Sequence, residues 1–343
     1  MNLMRPTPLP YDPALWATLP FPERARLVCQ AWAIQGYGSP LGAYGFYALK
    51  LALYIGGFIG FCSFNAGYAG EQPLLDRLLT PIAFQKAIAW SMLFEGLGLG
   101  CGSGPLTGRY VPPFGGALYF LRPGTTKLPL FPKLPLIGGI RRSWLDVLLY
   151  AALLVALVRA LVAPQIGAAE AWPVVLLTAA LGVCDKTLFL AFRSEHYWTT
   201  FLCFALAQDW IPGAKAVYLA LWFWAGVSKL NAHFPAVVCV MTSNSPVTRW
   251  PAIRRLMYRH YPDDLRPSRL AHWAAHAGTV LELGVPTVLF FATGEPWLQV
   301  GMVLMLGLHL FITSNVPMGV PIEWNFVMVY GAVALFWQYP EVS

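Results

Sequence analysis

Apolar residues along this chain are gathered into runs, several of them of about 18 residues or more, separated by polar and basic segments. A helix of that length crosses the hydrocarbon core of a bilayer. The pattern therefore predicts an all-α, polytopic helical membrane protein with about nine transmembrane helices. The predicted spans are about Tyr44–Ala66, Pro81–Gly102, Trp144–Val162, Ala171–Phe192, His196–Trp210, Gly213–Leu230, Ala271–Thr293, Pro296–Thr313 and Ile322–Gln338.

The segments outside the spans define the predicted domains. Residues 1–42 are predicted to be a cytoplasmic lead-in, and residues 43–340 the transmembrane domain, with no soluble domain after it. Within the lead-in, PFPERARLVCQAWAIQG predicts a short amphipathic helix on the membrane, with Arg24 and Arg26 toward the head groups. The Pro- and Gly-rich segment Ser103–Ser143 is apolar but too broken to span, and is predicted to be a folded loop packed on protein.

Composition and charge support a membrane location. The chain is 57% hydrophobic and 11% charged, against about 25% charged residues in a soluble domain. The net charge of +7 comes from basic residues in the loops, above all residues 103–143 and 231–270. Topology explains that placement, so nucleic acid is not a predicted partner. The asymmetry predicts an inside amino terminus and an outside carboxyl terminus; membrane lipids and other membrane proteins are the expected partners.

Ionisable side chains within apolar runs are the candidate functional residues, because charge at membrane depth is costly. Lys229 lies at the end of a span. Either its ammonium group stays solvated at the membrane surface, or the lysine acts as a base in an apolar site. Asp185 and Lys186 are either a buried ion pair that holds helices together or part of a ligand pocket. His196, beside Glu195, is either a satisfied histidine at a helix start or a donor to a substrate oxygen.

Two further histidines and an acid lie in the later spans. His272 and His276 are four residues apart and share a helix face, as two metal ligands would. No third ligand is adjacent, so no metal is predicted, and one of the two is expected to line an interior cavity. Glu282 and His309 lie in apolar runs and are expected to face the interior of the bundle.

Four segments carry a resemblance to a known family. DKTLFLAFRSEHYWTTFLCFALA (185–207), followed by FWAGVSKLNAHFP (223–235), resembles the core of the vitamin K-dependent γ-glutamyl carboxylases and, more broadly, the HTTM (horizontally transferred transmembrane) domain. HAGTVLELGVPTVLFF (276–291) and GLHLFITSNVPMGVPIEWNFVMVYGAVALF (307–336) are similar to later helices of that family. The resemblance covers residues 180–340 and extends to bacterial membrane proteins that carry this domain, which implies a bacterial cytoplasmic membrane.

The resemblance implies an HTTM-like bundle that binds a quinone, a reduced vitamin K-like quinol, or another isoprenoid lipid. By residue match, Lys229 would be the base of a carboxylase-like or quinol-epoxidase-like enzyme, with His196 and His276 in support. The ligand pocket would then include Asp185, Lys186, Glu282 and His309. Ser228 stands where the carboxylases have a second lysine, and their large lumenal portion has no counterpart in residues 1–343. The alternative function is a non-catalytic membrane scaffold or accessory subunit of a larger membrane complex.

Overall fold

A computed structural model describes residues 3, 5, 7–68, 72–100, 115–291, 295–315 and 322–341. These residues are mostly helical, and their one sheet is a two-stranded hairpin. The helices are α1 (Pro13–Thr18), α2 (Phe21–Gln35), α3 (Leu41–Cys62), α4 (Leu74–Leu78), α5 (Pro81–Gly96), α6 (Gly115–Phe120), α7 (Trp144–Val162), α8 (Ala168–Cys184), α9 (Lys186–Ala191), α10 (Ser194–Leu206), α11 (Ile211–Ser228), α12 (Phe234–Asn244), α13 (Pro251–Met257), α14 (Arg269–Phe291), α15 (Glu295–Thr313) and α16 (Ile322–Gly331), which continues as a π-helix over Ala332–Trp337. The strands are β1 (Tyr258–His260) and β2 (Asp264–Pro267).

In the described residues, each predicted span overlaps a helix, but the predicted count of about nine membrane crossings is not confirmed. Among the described residues, four helices are long and apolar enough to cross a membrane: Leu41–Cys62, Trp144–Val162, Arg269–Phe291 and Pro296–Thr313. The predicted span Ala171–Phe192 is two helices, because Asp185 ends α8 and caps α9 by accepting a hydrogen bond from the Thr187 amide. Sequence patterning missed α12, which lies within the predicted basic loop 231–270.

The chain divides into two compact units, one of which comprises Lys50–Tyr218 and Pro321–Ser343. Helix α5 lies at the centre of this unit and is buried from Ala83 to Gly96. It packs against α7, α10 and α16, while α8 packs against α7 and α10. A helix that is apolar on all sides is typical of a core position. The polar residues of α5, among them Glu95, are consequently held inside the unit.

A packed loop joins α6 to α7, as predicted for the part of Ser103–Ser143 that the structure describes, residues 115–143. Lys127 Nζ donates to both carboxylate oxygens of Asp146, at 2.8 and 2.7 Å, and Arg142 pairs with Asp185. All four side chains are fully buried. The Leu128 amide also donates to Asp185, at 3.1 Å. Two buried ion pairs thus hold the loop against α7 and the α8–α9 junction; residues 103–114 lie outside the described residues.

The buried ion pair considered for Asp185 is present, but its partner is a distant residue. The carboxylate of Asp185 pairs with Arg142, not with the neighbouring Lys186. Lys186 begins α9, and its backbone amide donates to the Leu128 carbonyl at 2.7 Å. The Asp185 carboxylate bonds to the Thr187 amide of α9, and Arg142 approaches it from the other end of the loop.

The other unit comprises Met1–Leu49 and Leu219–Val320. In it α12 packs against α2 and α14, and α14 packs against α15. A small core is formed by Ala33, Cys239, Met257, Tyr258 and Ala271. The predicted helix in the lead-in is confirmed as α2, and it buries Ala31 and Ala33. The Asn244 amide nitrogen, at the end of α12, donates to the Trp32 carbonyl at 3.1 Å.

The buried pair at the α8–α9 junction gives a stability prediction. Asp185→Asn leaves the Arg142 guanidinium buried without its counter-charge, so we expect the free energy of unfolding in detergent to fall by about 3–5 kcal/mol. The double variant Arg142→Met with Asp185→Leu should recover much of that loss, because no buried charge remains.

Arg159→Ala is the matched control. Arg159 lies 3.6 Å from Glu170 in a pair whose arginine is 62% exposed, so its loss should cost about 1 kcal/mol or less. Equal losses for Asp185→Asn and Arg159→Ala, measured by denaturant unfolding, would contradict the buried pair's role.

Candidate functional site

The residue before α10, Arg193, has a left-handed backbone conformation. Arg193 has φ 50° and ψ 45°, a conformation that is uncommon for a residue with a side chain. Its carbonyl accepts hydrogen bonds from the His196 and Tyr197 amides, both at 3.0 Å. The turn between α9 and α10 therefore fixes the direction in which the first residues of α10 point. Strained backbone of this kind is concentrated at functional sites.

The Arg193 side chain lies between an acid and an aromatic ring. Its Nε is 3.6 Å from Oε1 of Glu95, which is fully buried in α5. Its guanidinium carbon lies 5.5 Å from the centroid of the Trp324 ring in α16. The positive charge of Arg193 thus offsets the buried Glu95 carboxylate, and the stacked tryptophan contributes a cation–π contact.

His196 is enclosed by aromatic rings and is fully buried. Its ring stacks on Tyr197, with centroids 4.6 Å apart, and meets the ring of Tyr218 edge-on at 5.0 Å. Trp324 lies perpendicular to it at 6.4 Å. In the described part of the chain, neither ring nitrogen of His196 has a hydrogen-bond partner, and the same is true of the fully buried Tyr197 hydroxyl.

These unpartnered atoms are unusual, because the large majority of buried polar groups in proteins are hydrogen-bonded. Leaving one without a partner costs about 1–3 kcal/mol. Here three such atoms, Nδ1 and Nε2 of His196 and the hydroxyl oxygen of Tyr197, lie on adjacent residues. We define the His196 site as Glu95, Arg193, His196, Tyr197, Tyr218 and Trp324. Its geometry suits a ligand that both donates and accepts hydrogen bonds.

Some other buried polar groups of the same unit have partners, whereas the Ser194 hydroxyl and the Asn65 side-chain oxygen have none among the described residues. Lys50 Nζ lies 2.9 Å from Glu323, the residue before Trp324, and both side chains are nearly inaccessible. The Tyr54 hydroxyl is hydrogen-bonded to Ser91. His196 and Tyr197 differ in that three unpartnered atoms lie on two adjacent residues, which makes them the candidate place for a ligand.

Sequence reasoning identified His196 but missed most of its surroundings. Glu95 was visible as an acid inside an apolar run, and Arg193 as a base in the same segment as His196. Nothing in the sequence pattern singled out Tyr197 or Trp324, because a lone aromatic residue in an apolar helix is normally a packing residue.

The predicted base, Lys229, is engaged in an ion pair in the other unit. Its ammonium pairs with Oε1 of Glu282 in α14, whose side chain is 5% exposed. Gly226, one turn earlier in α11, lets the helices approach, because a Cβ there would lie 2.9 Å from Leu283. An amine acts as a base only with a free electron pair, so Lys229 must first release a proton.

His309 lies on the same side of α11 as Lys229. Trp222 Nε1 donates to Nε2 of the buried His309 at 2.9 Å. Trp222, Gly226 and Lys229 are spaced four and three residues apart, so they share one helix face. This face of α11 brings together the predicted interior residues Glu282 and His309 with Lys229.

The predicted residues thus fall into two groups. His196, Asp185 and Lys186 belong to one unit, and Lys229, His276, Glu282 and His309 to the other. Asp185 is bound to the packed loop, whereas His276 is exposed on α14 and takes no part in the Lys229–Glu282 pair. The convergence of Lys229, His196 and His276 on one ligand stays a prediction. Within the described ranges, no group of three or more His, Cys, Asp or Glu residues could hold a metal ion.

Comparison with known proteins identifies the family to which this chain belongs. Residues 1–343 match the family described as transmembrane protein of unknown function (DUF3556). The chain therefore belongs to this family and is an integral membrane protein, in agreement with its four long apolar helices. No curated protein and no solved structure matches the chain. The family match does not extend to the carboxylases, so that resemblance remains a prediction.

The Lys229–Glu282 pair gives a prediction for a double-mutant cycle. Lys229→Met and Glu282→Gln should each reduce the free energy of unfolding, because each leaves a partner without its counter-charge. Their combined loss should be smaller than the sum by about 1–3 kcal/mol, since the two residues share one interaction.

A second cycle on Arg266 and Asp264 is the control. This pair lies in the same unit, and the Arg266 side chain is 70% exposed. An exposed pair contributes about 1 kcal/mol or less. Strict additivity for Lys229 and Glu282 would show that the two side chains do not interact in the folded protein.

Proposed function

We propose that this membrane protein binds a membrane-soluble quinone or quinol at the His196 site. The observation that carries the proposal is the set of unpartnered, fully buried atoms on His196 and Tyr197. A bound oxygen-bearing ring would supply the hydrogen bonds that the protein leaves unmade. The energetic cost of those buried atoms is then offset when the ligand is present.

The chemistry of the site matches the head group of a quinol. A neutral imidazole has one donor and one acceptor nitrogen, and a tyrosine hydroxyl can do either. A hydroquinone has two hydroxyl groups on a flat ring, and the oxidised quinone has two carbonyl oxygens. The rings of Tyr197, Tyr218 and Trp324 supply aromatic surfaces beside which such a ring can stack.

The ion pairs already present around the His196 site favour an uncharged ligand. Arg193 is paired with Glu95, and Lys50 is paired with Glu323. The charges around the site therefore already have counter-charges. An anionic or cationic head group would add a charge that has no counter-charge in an apolar interior. An isoprenoid quinone carries no charge, and its tail is soluble in the bilayer.

Carboxylase-like catalysis is a narrower proposal that rests on the resemblance. It needs Lys229 to lose its proton and to act on the ligand held by His196, with His276 in support. The role of the protein residues in that scheme would be to orient the quinol hydroxyl and to accept its proton. The inside location of the amino terminus is proposed from the charge asymmetry of the loops. The bacterial origin is proposed from the resemblance. The Lys229–Glu282 pair argues against a scaffold whose Lys229 simply faces the head groups.

Quinone content after purification tests the binding proposal. Protein extracted from membranes in mild detergent should carry quinone in near-stoichiometric amount, measured by mass spectrometry of the extracted lipid. Tyr197→Phe removes one hydroxyl and keeps the ring, and His196→Phe removes both nitrogens and keeps a flat side chain. Each should lower the quinone content by about tenfold, because the loss of one or two hydrogen bonds amounts to about 1.4 kcal/mol.

Tyr150→Phe is the matched control. Tyr150 is a fully buried tyrosine of the same unit, and its hydroxyl donates to the Gly96 carbonyl at 2.8 Å. This variant should lose stability but keep its quinone. A wild-type protein without quinone, or equal quinone in all four proteins, would refute the proposal.

A further inference from the structure

A second candidate site lies where the β-hairpin meets α14. An open cavity of about 710 Å³ is lined there by Arg259, His260, Pro267, Ser268, Arg269, His272 and Trp273. Two of these seven side chains are arginines and two are histidines. We propose that this basic cavity binds the phosphate of an anionic phospholipid head group.

The hairpin holds the basic residues in place. Strands β1 and β2 pair antiparallel, with Tyr258 opposite Pro267 and His260 opposite Asp264. The Ser268 amide donates to the Met257 carbonyl at 3.0 Å. Arg259 and His260 are thereby fixed next to the first turn of α14.

The hairpin is also anchored by residues of the buried core. Met257 and Tyr258 belong to the buried core of this unit, and the Tyr258 hydroxyl is 3.0 Å from the hydroxyl oxygen of Ser243 in α12. Burial raises the pKa of Tyr258 to about 12. The cavity therefore rests on ordered structure, which limits the entropy that ligand binding would cost.

The arginines of the cavity are available to a ligand. In the described part of the chain, Arg259 and Arg269 form no side-chain hydrogen bond or ion pair. The nearby acid, Asp264, is instead held by Arg266 through Nε and Nη2, at 2.9 and 2.7 Å, and Arg266 keeps the pKa of that carboxyl below its usual range. The charge of Arg259 also helps to lower the pKa of Asp264, but no hydrogen bond joins the two side chains among the described residues. Guanidinium groups whose donors are not taken up favour a phosphate at the cavity, because phosphate accepts bidentate hydrogen bonds.

Two further features fit the same ligand. The first helical amides of α14 lie at Arg269, and a helix amino terminus attracts anions. Within that first turn, the Nδ1 of His272 donates to the Ser268 carbonyl at 2.9 Å, which holds the ring at the amino terminus of α14.

The position of the cavity favours a lipid over free phosphate. It lies at the start of α14, one of the helices that is long and apolar enough to cross a membrane. Trp273, on the first turn, is 74% exposed, and Leu270 beside it is 48% exposed. Tryptophan is enriched at the level of the lipid head groups, and basic pockets at that level bind anionic lipids. An acyl chain could lie along α14 while its phosphate occupies the cavity.

Native mass spectrometry in detergent, with phosphatidylglycerol or phosphatidylcholine added, tests the proposal. Phosphatidylglycerol should bind in preference to phosphatidylcholine. The variant Arg259→Gln with Arg269→Gln should weaken phosphatidylglycerol binding by about thirtyfold, the loss expected for two basic residues at a membrane surface. The control Arg249→Gln with Arg255→Gln removes the same charge from two exposed residues outside the cavity, and it should bind as the wild type does.

Three results would overturn the proposal. Equal losses in both double variants would show that overall charge, not the cavity, governs binding. Unchanged binding by the cavity variant, with unaltered thermal unfolding, would place the lipid elsewhere. Displacement of phosphatidylglycerol by inorganic phosphate at equal concentration would assign the cavity to free phosphate.

Discussion

The structure depends on the pairing of charge inside an apolar protein. An isolated ion in such surroundings is costly, whereas a paired one is tolerated and ties together the segments that supply it. The buried pairs of the described residues join segments that are far apart in sequence: Lys127 with Asp146, Arg142 with Asp185, Lys50 with Glu323, and Lys229 with Glu282. Because each partner is needed by the other, these pairs specify which helices and loops meet.

His196 and Tyr197 are exceptions to this pairing, and the proposed function rests on them. His196 and Tyr197 are as deeply buried as the paired residues, yet three of their polar atoms have no partner within the part of the chain described. They follow Arg193, whose left-handed backbone is itself unusual. We propose that a ligand supplies the hydrogen bonds that these adjacent residues leave unmade. The basic cavity at α14 is a different case, since its arginines, Arg259 and Arg269, are exposed.

The sequence predicted the positions of many helices, but much less about which side chains pair with each other. Trp144–Val162 was predicted with the bounds that the structure has, because its apolar run is broken only near its ends, by Asp146 and Arg159, and Ser143 caps it. Helix α12 was missed because it is short and lies in a segment with many basic residues. Asp185 was recognised as unusual, but its partner Arg142 is 43 residues away, and hydropathy says nothing about such a pairing. Likewise, His196 could be named from the sequence, but its lack of a partner is a property of the fold.

The most direct test is a cryo-electron microscopy map of the wild-type protein purified from its native membrane. The account predicts planar, non-protein density within about 3 Å of a ring nitrogen of His196 and of the Tyr197 hydroxyl. Density for a tail leading from that ring into the bilayer would identify a lipid quinone. A map in which His196 and Tyr197 hydrogen-bond to the protein itself, with no further density beside them, would contradict it.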